Sequence, residues 1–307
     1  MIALSRLEDL LPVKASDLQV AMQPFCSPDE SNWSSAVRLR RARLLRRIGK
    51  RVVRKLQGRG NRDRSKVSAE YEAVWSAGYD RYDTSRDPDR FSPWLYGTRH
   101  FLASAAGAAR FRSILLGAVI RKLNPSSVLE VGCGNGINLF LLAGAFPNVS
   151  FSGLELTETG HAAARLLQKE QRLPQHLAQY APLSQLDDQA HRRISFTRGD
   201  ATNMPFENES FDLVFTVLSI EQMQRIRDRA LREVVRVSKS FVLNLEPFRD
   251  VNHGFWRRLN VISRDYYRGF IHELVGCGLQ PIWATADFPQ ELMLGSCLVL
   301  SRKTSGA

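Results

Sequence analysis

One stretch constrains this chain more than any other: Val128-Leu129-Glu130-Val131-Gly132-Cys133-Gly134-Asn135-Gly136, an apolar strand running straight into three glycines spaced two apart. The strand carries an acid near its end and then turns tightly into a helix starting near Ile137. Glycine is needed where the backbone adopts left-handed dihedrals and closes around a ligand, because a Cβ blocks both. The spacing is E-x-G-x-G-x-G rather than the G-x-G-x-x-G of dinucleotide sites, since Ile stands at position 137. A pyrophosphate wants a helix N-terminus, so this spacing favours a ligand without phosphate.

At 307 residues the chain fits one α/β domain of about 200–250 residues plus an appendage. A hydrophobic content of 44% with 24% charged residues is that of an ordinary globular protein with a full core. No apolar run reaches the ~18 residues of a spanning helix. The early acids Glu8 and Asp9 argue against a secretory signal. Cys26, Cys133, Cys277 and Cys297 show no C-x-x-C pairing, so neither a metal site nor a disulfide framework is expected. The expectation is a reduced, cytoplasmic protein, with a peripheral position at the inner membrane surface as an option.

The net charge of +12 is concentrated at one end. Residues 1–67 hold 16 Lys/Arg against 6 Asp/Glu, and within 38–66 there are 14 basic residues and a single acid, Asp63. Residues 68–307 are close to neutral, with 27 bases and 25 acids. Residues 1–33, punctuated by Pro12, Pro24 and Pro28, show no sustained period and read as loosely structured. Residues 35–57 predict a helix, with Val37, Leu44, Leu45, Ile48, Val52 and Leu56 on one broad face and arginines and lysines covering the rest. Gly58 to Lys66 reads as a linker, which sets a domain boundary near 67.

Residues 69–123 read as helical, with turns at Arg86-Asp87-Pro88-Asp89 and near Pro93, and an amphipathic helix over 108–123. From 127 onward strand and helix alternate. Strands are predicted at 127–131, 150–155, 194–197, 211–217, 240–245, 281–285 and 294–301, with helices at 137–145, 158–171, 225–237 and 264–276. Such alternation implies a doubly wound, mostly parallel sheet, the last pair forming an antiparallel edge.

In such a sheet the ligand lies beyond the carboxyl ends of the strands. The second strand ends in Glu155, 19 residues after Gly136, where a carboxylate accepts from both hydroxyls of a ribose. The third runs into Gly199-Asp200-Ala201-Thr202-Asn203-Met204-Pro205-Phe206, followed by Phe211-Asp212-Leu213-Val214. The ordered set over about 110–245 resembles the class I S-adenosylmethionine (SAM) dependent methyltransferases, in particular the group acting on small molecules. That resemblance implies a seven-stranded Rossmann-like fold over 68–307, with 68–126 as a helical substrate cap and 127–307 as the α/β core, and SAM as cofactor. It implies that Gly132, Gly134 and Gly136 form the SAM turn, that Glu130 holds the methionine end, that Glu155 holds the ribose, and that Asp200 and Ala201 hold the adenine. Val217 and Leu218 would floor the pocket. After the fourth strand many members carry a histidine or an aromatic pair, whereas this chain has Ser219-Ile220-Glu221-Gln222-Met223.

Glu221 is therefore the first candidate for a base or an orienting group, with a helix-capping acid as the plain alternative. His253, His272 and Tyr267 are further candidates, although a lone histidine is more often structural. Aromatics at Tyr71, Trp75, Tyr79, Tyr82, Trp94 and Tyr96, with His100, read first as packing. Interleaved Arg249, Arg257, Arg258 and Arg268 suggest an acceptor with an anionic or sugar-like part; the leading expectation is a small-molecule, glycan or lipid-linked acceptor methylated at oxygen. No N-P-P-Y-like tetrapeptide follows the fourth strand, which weighs against planar amino acceptors. The basic segment 35–57 fits an anionic membrane surface, RNA phosphates, or no partner at all. Its lack of aromatics makes nucleic acid the weaker of the first two. An RNA or protein methyltransferase, and a SAM-binding protein without catalysis, remain open. Oligomeric state is not readable from these residues.

Overall fold

The computed structural model describes residues 3–57, 64–76, 79, 91–174, 177 and 183–304. Seven strands form the main sheet: β3 (Ser127–Val131), β4 (Ser150–Glu155), β5 (Ser195–Arg198), β6 (Phe211–Val217), β7 (Ser238–Glu246), β8 (Leu279–Thr285) and β10 (Cys297–Lys303), in the order β5-β4-β3-β6-β7-β10-β8. The pairs β3/β4, β4/β5, β3/β6 and β6/β7 are parallel, while β10 runs antiparallel to both neighbours. This is the doubly wound, mostly parallel sheet of the Rossmann-like methyltransferase fold. Strand order reverses between β3 and β6, the place where such sheets open a crevice for ligand.

The sheet is apolar on both faces because helices cover both. Val128 joins a core with α5 (Ala105–Leu123), α6 (Ile137–Ala143) and α7 (Glu158–Lys169), represented by Leu115, Leu139, Phe140 and Leu167. Leu129 and Val131 face the other way, toward Leu231 and Val234 of α8 (Arg227–Val237) and Ile271 and Leu274 of the 3-10 segment Ile271–Cys277. Asn124, left-handed at φ 47°, ends α5 immediately before Pro125 and turns the chain into β3.

The N-terminal residues depart from the loose segment expected of them. α1 (Leu7–Leu10), α2 (Ala15–Met22) and a 3-10 turn at Gln23–Phe25 place Leu7, Leu11, Leu18 and Met22 in the main core. Pro24 does not interrupt this run, because it occupies the first turn of the 3-10 segment, where its missing N–H is not needed. The helical reading of 69–123 is likewise corrected: β1 (Ser92–Tyr96) and β2 (Arg99–Ala103) form a hairpin, and β1 also pairs with β9 (Gln290–Glu291). Pro93, read as a turn, lies inside β1, and the chain reverses instead at Gly97, whose φ is 56°.

α3 (Trp33–Leu56) is the predicted basic helix, but its apolar residues do not share one fate. Leu44 is buried, whereas Leu45, Val52 and Leu56 are 54%, 52% and 82% exposed. The side turned to the body carries Leu44 with Arg40, Arg47 and Arg51, because the opposing α9 (Phe255–Arg264) offers polar partners. Arg47 donates to Asn260 Oδ1 at 3.0 Å and to Ser263 Oγ at 3.2 Å, Arg51 pairs with Asp265 at 3.3 Å, and Arg41 lies 4.8 Å over the Trp256 ring. The linker expected at 58–66 falls partly outside the described residues, and α4 (Arg64–Trp75) already begins within it. The turn at 86–89 and Tyr82 lie outside the described residues.

Candidate active site

The three glycines after β3 have φ of 75°, 57° and 79° at positions 132, 134 and 136, dihedrals in which a side chain is strained. A Cβ on Gly132 would meet Ser219, one on Gly134 the indole of Trp75, and one on Gly136 the rings of Phe196 and Phe140. The turn is therefore packed from three directions by β5, by the loop after β6 and by α4. Glu155, buried at the end of β4, accepts from the Gly134 N–H at 2.8 Å and from the Thr157 N–H at 2.9 Å. Its carboxylate thus helps set the shape of the turn.

Glu130 is 1% exposed, and its Oε1 accepts from Asn138 Nδ2 at 2.6 Å. Its Oε2 is buried with no hydrogen-bond partner among the described residues. Burial pushes this carboxyl up to about 8. An orphaned carboxylate oxygen beside a glycine turn suits a cationic donor from a ligand, and the ammonium of SAM is one. The residues present therefore fit that cofactor. Asp200 is half-buried, with Oδ1 accepting from the Thr202 N–H at 3.0 Å, and Ala201 is buried next to it at the end of β5.

The loop after β6 adjoins this turn. Ser219 Oγ donates to the Val131 carbonyl at 2.8 Å, which ties the ends of β6 and β3 together. Leu218 adopts φ 52°, an unusual conformation for a side chain of this kind. Such strain persists only where surrounding contacts enforce it. Here the Leu218 N–H is held by the Leu245 carbonyl at 3.0 Å, and Glu246 accepts from the N–H groups of Ser219, Ile220 and Glu221 at 3.0, 3.0 and 3.1 Å.

Leu218 and Glu221 open onto a pocket of about 210 Å³ whose other walls include Arg40, Arg43 and Arg47 of α3 and Asn260 and Arg264 of α9. Glu221 is 5% exposed, with Oε1 held by Gln222 at 2.6 Å and Oε2 without a hydrogen-bond partner among the described residues. Burial, and then the neighbouring Glu246, push its carboxyl up to about 8. Burial likewise raises Glu246 to about 7. Val217, half-buried, precedes Leu218 on the same strand end.

Of the four catalytic candidates, only Glu221 lines this pocket. His253 and His272 are exposed, the latter stacked on Phe270 at 5.3 Å. Tyr267 is buried in the core under α8, edge-on to Phe248 and beneath Arg227, and burial drives its hydroxyl well above the usual phenol range. Its backbone does reach the site, since the Tyr267 N–H donates to the Glu221 carbonyl at 3.0 Å.

The arginines singled out by their aromatic neighbours are also elsewhere. Arg249 covers Phe270, Arg268 pairs with Asp265, Arg257 donates to the carbonyls of Val251 and Leu292, and Arg258 is exposed. The cations that do line the pocket are Arg264 of α9 and Arg40, Arg43 and Arg47 of α3, and the three on α3 follow spacings of three and four, so they share a helix stripe. That spacing was the available signal. Among the aromatics, Trp94 is buried edge-on to Phe111, Tyr96 is half-buried, and His100 stacks on Trp33, all as packing. Tyr71 lies at 6.2 Å from Trp75, which covers Gly134, and the Tyr79 hydroxyl donates to the Asn135 carbonyl at 2.6 Å.

Residues 129–241 match the methyltransferase domain family. The phthiotriol/phenolphthiotriol dimycocerosates methyltransferase of Mycobacterium tuberculosis is 36% identical over 115 residues, 38% of this chain and 34% of that protein. Norajmaline N-methyltransferase of Rauvolfia serpentina is 28% identical over 114 residues, 37% of this chain and 32% of that protein. The chain spans about a third of the length of the curated relatives it matches. Among solved structures, the [4+2]-cyclase SpnF superposes with a TM-score of 0.52 at 18% identity, covering 78% of this chain and 96% of that one. The match is one of fold, and a cyclase on this fold shows that architecture alone does not name the reaction.

Proposed function

We propose that this chain is a SAM-dependent methyltransferase that moves a methyl group to oxygen on a small-molecule or lipid-linked glycan acceptor. The observation carrying this reading is a pair of half-satisfied buried acids at the ends of neighbouring strands: Glu130 before the glycine turn, and Glu221 in the loop after β6 that Ser219 ties to β3. SAM supplies a methyl group already activated on a sulfonium. What remains for the protein is to bind, orient and exclude water.

In this reading Gly132, Gly134 and Gly136 let the backbone approach the cofactor, and Glu130 takes the ammonium. Glu155 keeps the turn in shape and accepts from the ribose, while Asp200 and Ala201 hold the adenine. Val217 and Leu218 support the pocket beside it. Glu221 accepts the acceptor hydroxyl's proton on its free Oε2, for which a carboxyl near 8 is well matched at neutral pH. His253, His272 and Tyr267 have no assigned step. We take 68–307 as holding the cofactor site, with α4 as part of the cover over the cofactor and α3 walling the neighbouring pocket.

The relatives cited above are named for a lipid and for a small-molecule acceptor respectively, which supports that class here over RNA or protein. A second reading, contact with an anionic membrane surface, is favoured by the outer face of α3. There Leu45, Val52, Val53 and Leu56 are exposed among basic residues. No helix among the described residues is long and apolar enough to cross a membrane. The test of function is incubation of the purified chain with methyl-labelled SAM and fractionated cell extract. Label in the lipid, glycan or metabolite pools is the expected result. Label in RNA or protein would overturn the acceptor class, and a chain that binds SAM and labels no pool would favour binding without chemistry.

A further inference from the structure

The basic helix α3 forms a wall of the pocket that Glu221 lines. Arg40, Arg43 and Arg47 come from α3 and Arg264 from α9, against two acids, Glu221 and Glu291. Outside the pocket, arginines of this region are neutralised: Asp265 alone takes Arg51 at 3.3 Å, Arg225 at 3.7 Å and Arg268 at 2.5 Å. Inside it, no carboxylate pairs with Arg40 or Arg43 among the described residues. Arg47 is held below the usual arginine range by burial and then by the like charge of Arg264, with Arg40 adding to the effect. Even with both acids ionised, the lining carries four cations against two anions. Arg40, Arg47 and Arg264 are half-buried and Arg43 is exposed; crowding like charges at a partly buried site is unfavourable unless an anion joins them. Arginines on one face are also suited to grip a phosphate or carboxylate in two-pronged fashion.

We infer that Arg40, Arg43 and Arg47, together with Arg264, bind an anionic group of the acceptor, a phosphate or carboxylate, and so hold its reacting end beside Glu221. The inference rests on the methyltransferase reading for the word acceptor, but the anion site stands on its own geometry. The basic N-terminal helix is then a substrate-recognition element. Its inner stripe reads the anion, and that stripe is separate from the exposed apolar residues on its outer side.

The full chain is titrated by calorimetry with inorganic phosphate, with acetate and with dihexanoyl phosphatidic acid. The double variant Arg40→Gln/Arg43→Gln is compared with Arg46→Gln/Lys50→Gln, which removes the same charge from positions of the same helix outside the pocket lining. Melting curves check that each variant folds, and SAM affinity is measured separately. The inner-stripe variant is expected to lose at least tenfold in affinity for phosphate or acetate, and the outer pair less than twofold, with SAM affinity unchanged in both. Tighter binding of phosphatidic acid than of phosphate, lost in the inner variant alone, assigns the anion to a lipid headgroup. Equal affinities assign it to a water-soluble acceptor. Failure of the wild-type chain to bind any of these anions, or equal losses in the two variants, overturns the site. A chain that binds phosphate as expected but no SAM defeats the methyltransferase reading and leaves the anion site standing.

Discussion

The Glu246 carboxylate accepts the peptide N–H of Glu221 at 3.1 Å, so two buried acids share one short turn. Glu246 spends its oxygens on backbone donors and fixes the turn. Glu221 keeps one oxygen unspent and faces the pocket.

The first prediction concerns stability against pH. The Glu221 carboxyl is raised to about 8 in the fold, chiefly by burial and next by Glu246. The folded state therefore holds a proton that the unfolded chain releases above about 4.5. Stability falls as pH climbs from that value toward 8, and it is fully present only below it. Glu221→Gln removes this loss, and we expect the variant to gain about 3–4 kcal/mol on the wild type at pH 8 relative to pH 5. Thermal melts across that range test it. Parallel curves for the two proteins would show that Glu221 is not the group concerned.

The same substitution separates structure from chemistry. If Glu221 takes the acceptor proton, Glu221→Gln folds normally, binds SAM and loses methyl transfer by about 100-fold. The wild-type rate should rise toward pH 8 as the carboxyl ionises, and the variant should lose that limb. An unchanged pH profile would remove Glu221 from the reaction.

At the glycine turn, Gly134→Ala adds a Cβ at φ 57° into the space of the Trp75 indole. The dihedral alone costs about 1–2 kcal/mol. We expect SAM affinity to fall at least tenfold with circular dichroism unchanged, and Asp200→Ala to do the same. Intact calorimetric binding in both would refute the proposed cofactor site.

Cutting the chain at the boundary read near 67 would remove Leu7, Leu18, Met22 and Leu44, all essentially inaccessible to solvent. Leu18→Ala should cost about 2–5 kcal/mol, the usual range for a buried leucine, seen as a lower melting temperature. Deletion of 1–30 should abolish the cooperative transition. A deletion variant that melts like the full chain would show these helices to be dispensable.

The strands around the cofactor turn were readable because their signals are local. β3 and β6 are short runs dominated by Val, Leu and Phe, and the glycines of 132–136 mark a backbone that few other residues tolerate. The hairpin of β1 and β2 was not, since its partner β9 lies about 195 residues further along and nothing near Pro93 announces it. The inner face of α3 misled for a different reason. Arginine counts as polar in any periodicity, yet Arg40 and Arg47 are half-buried while Leu45 and Leu56 lie in solvent, an arrangement set by Asn260 and Ser263 on α9. The glycine turn and the ends of β4 and β5 were legible as a site. The pocket was not, because its cations come from a segment more than 200 residues away from the α9 residues they meet.

The stitching of α1 to β8 has a consequence for how the protein is made. The Ser5 N–H donates to the Ala284 carbonyl at 2.9 Å, Thr285 Oγ1 donates to the Ser5 carbonyl at 2.8 Å, and the Leu7 N–H donates to Asp287 at 3.0 Å. A ribosome adding about 5–20 residues per second takes roughly 15 to 60 s to cover that separation. For most of that interval α1, α2 and the arginine helix have been made without the surface that receives them. The nascent chain thus carries its anion-reading stripe well before the residues that complete its pocket, Asn260, Arg264 and Glu291 among them, have been made.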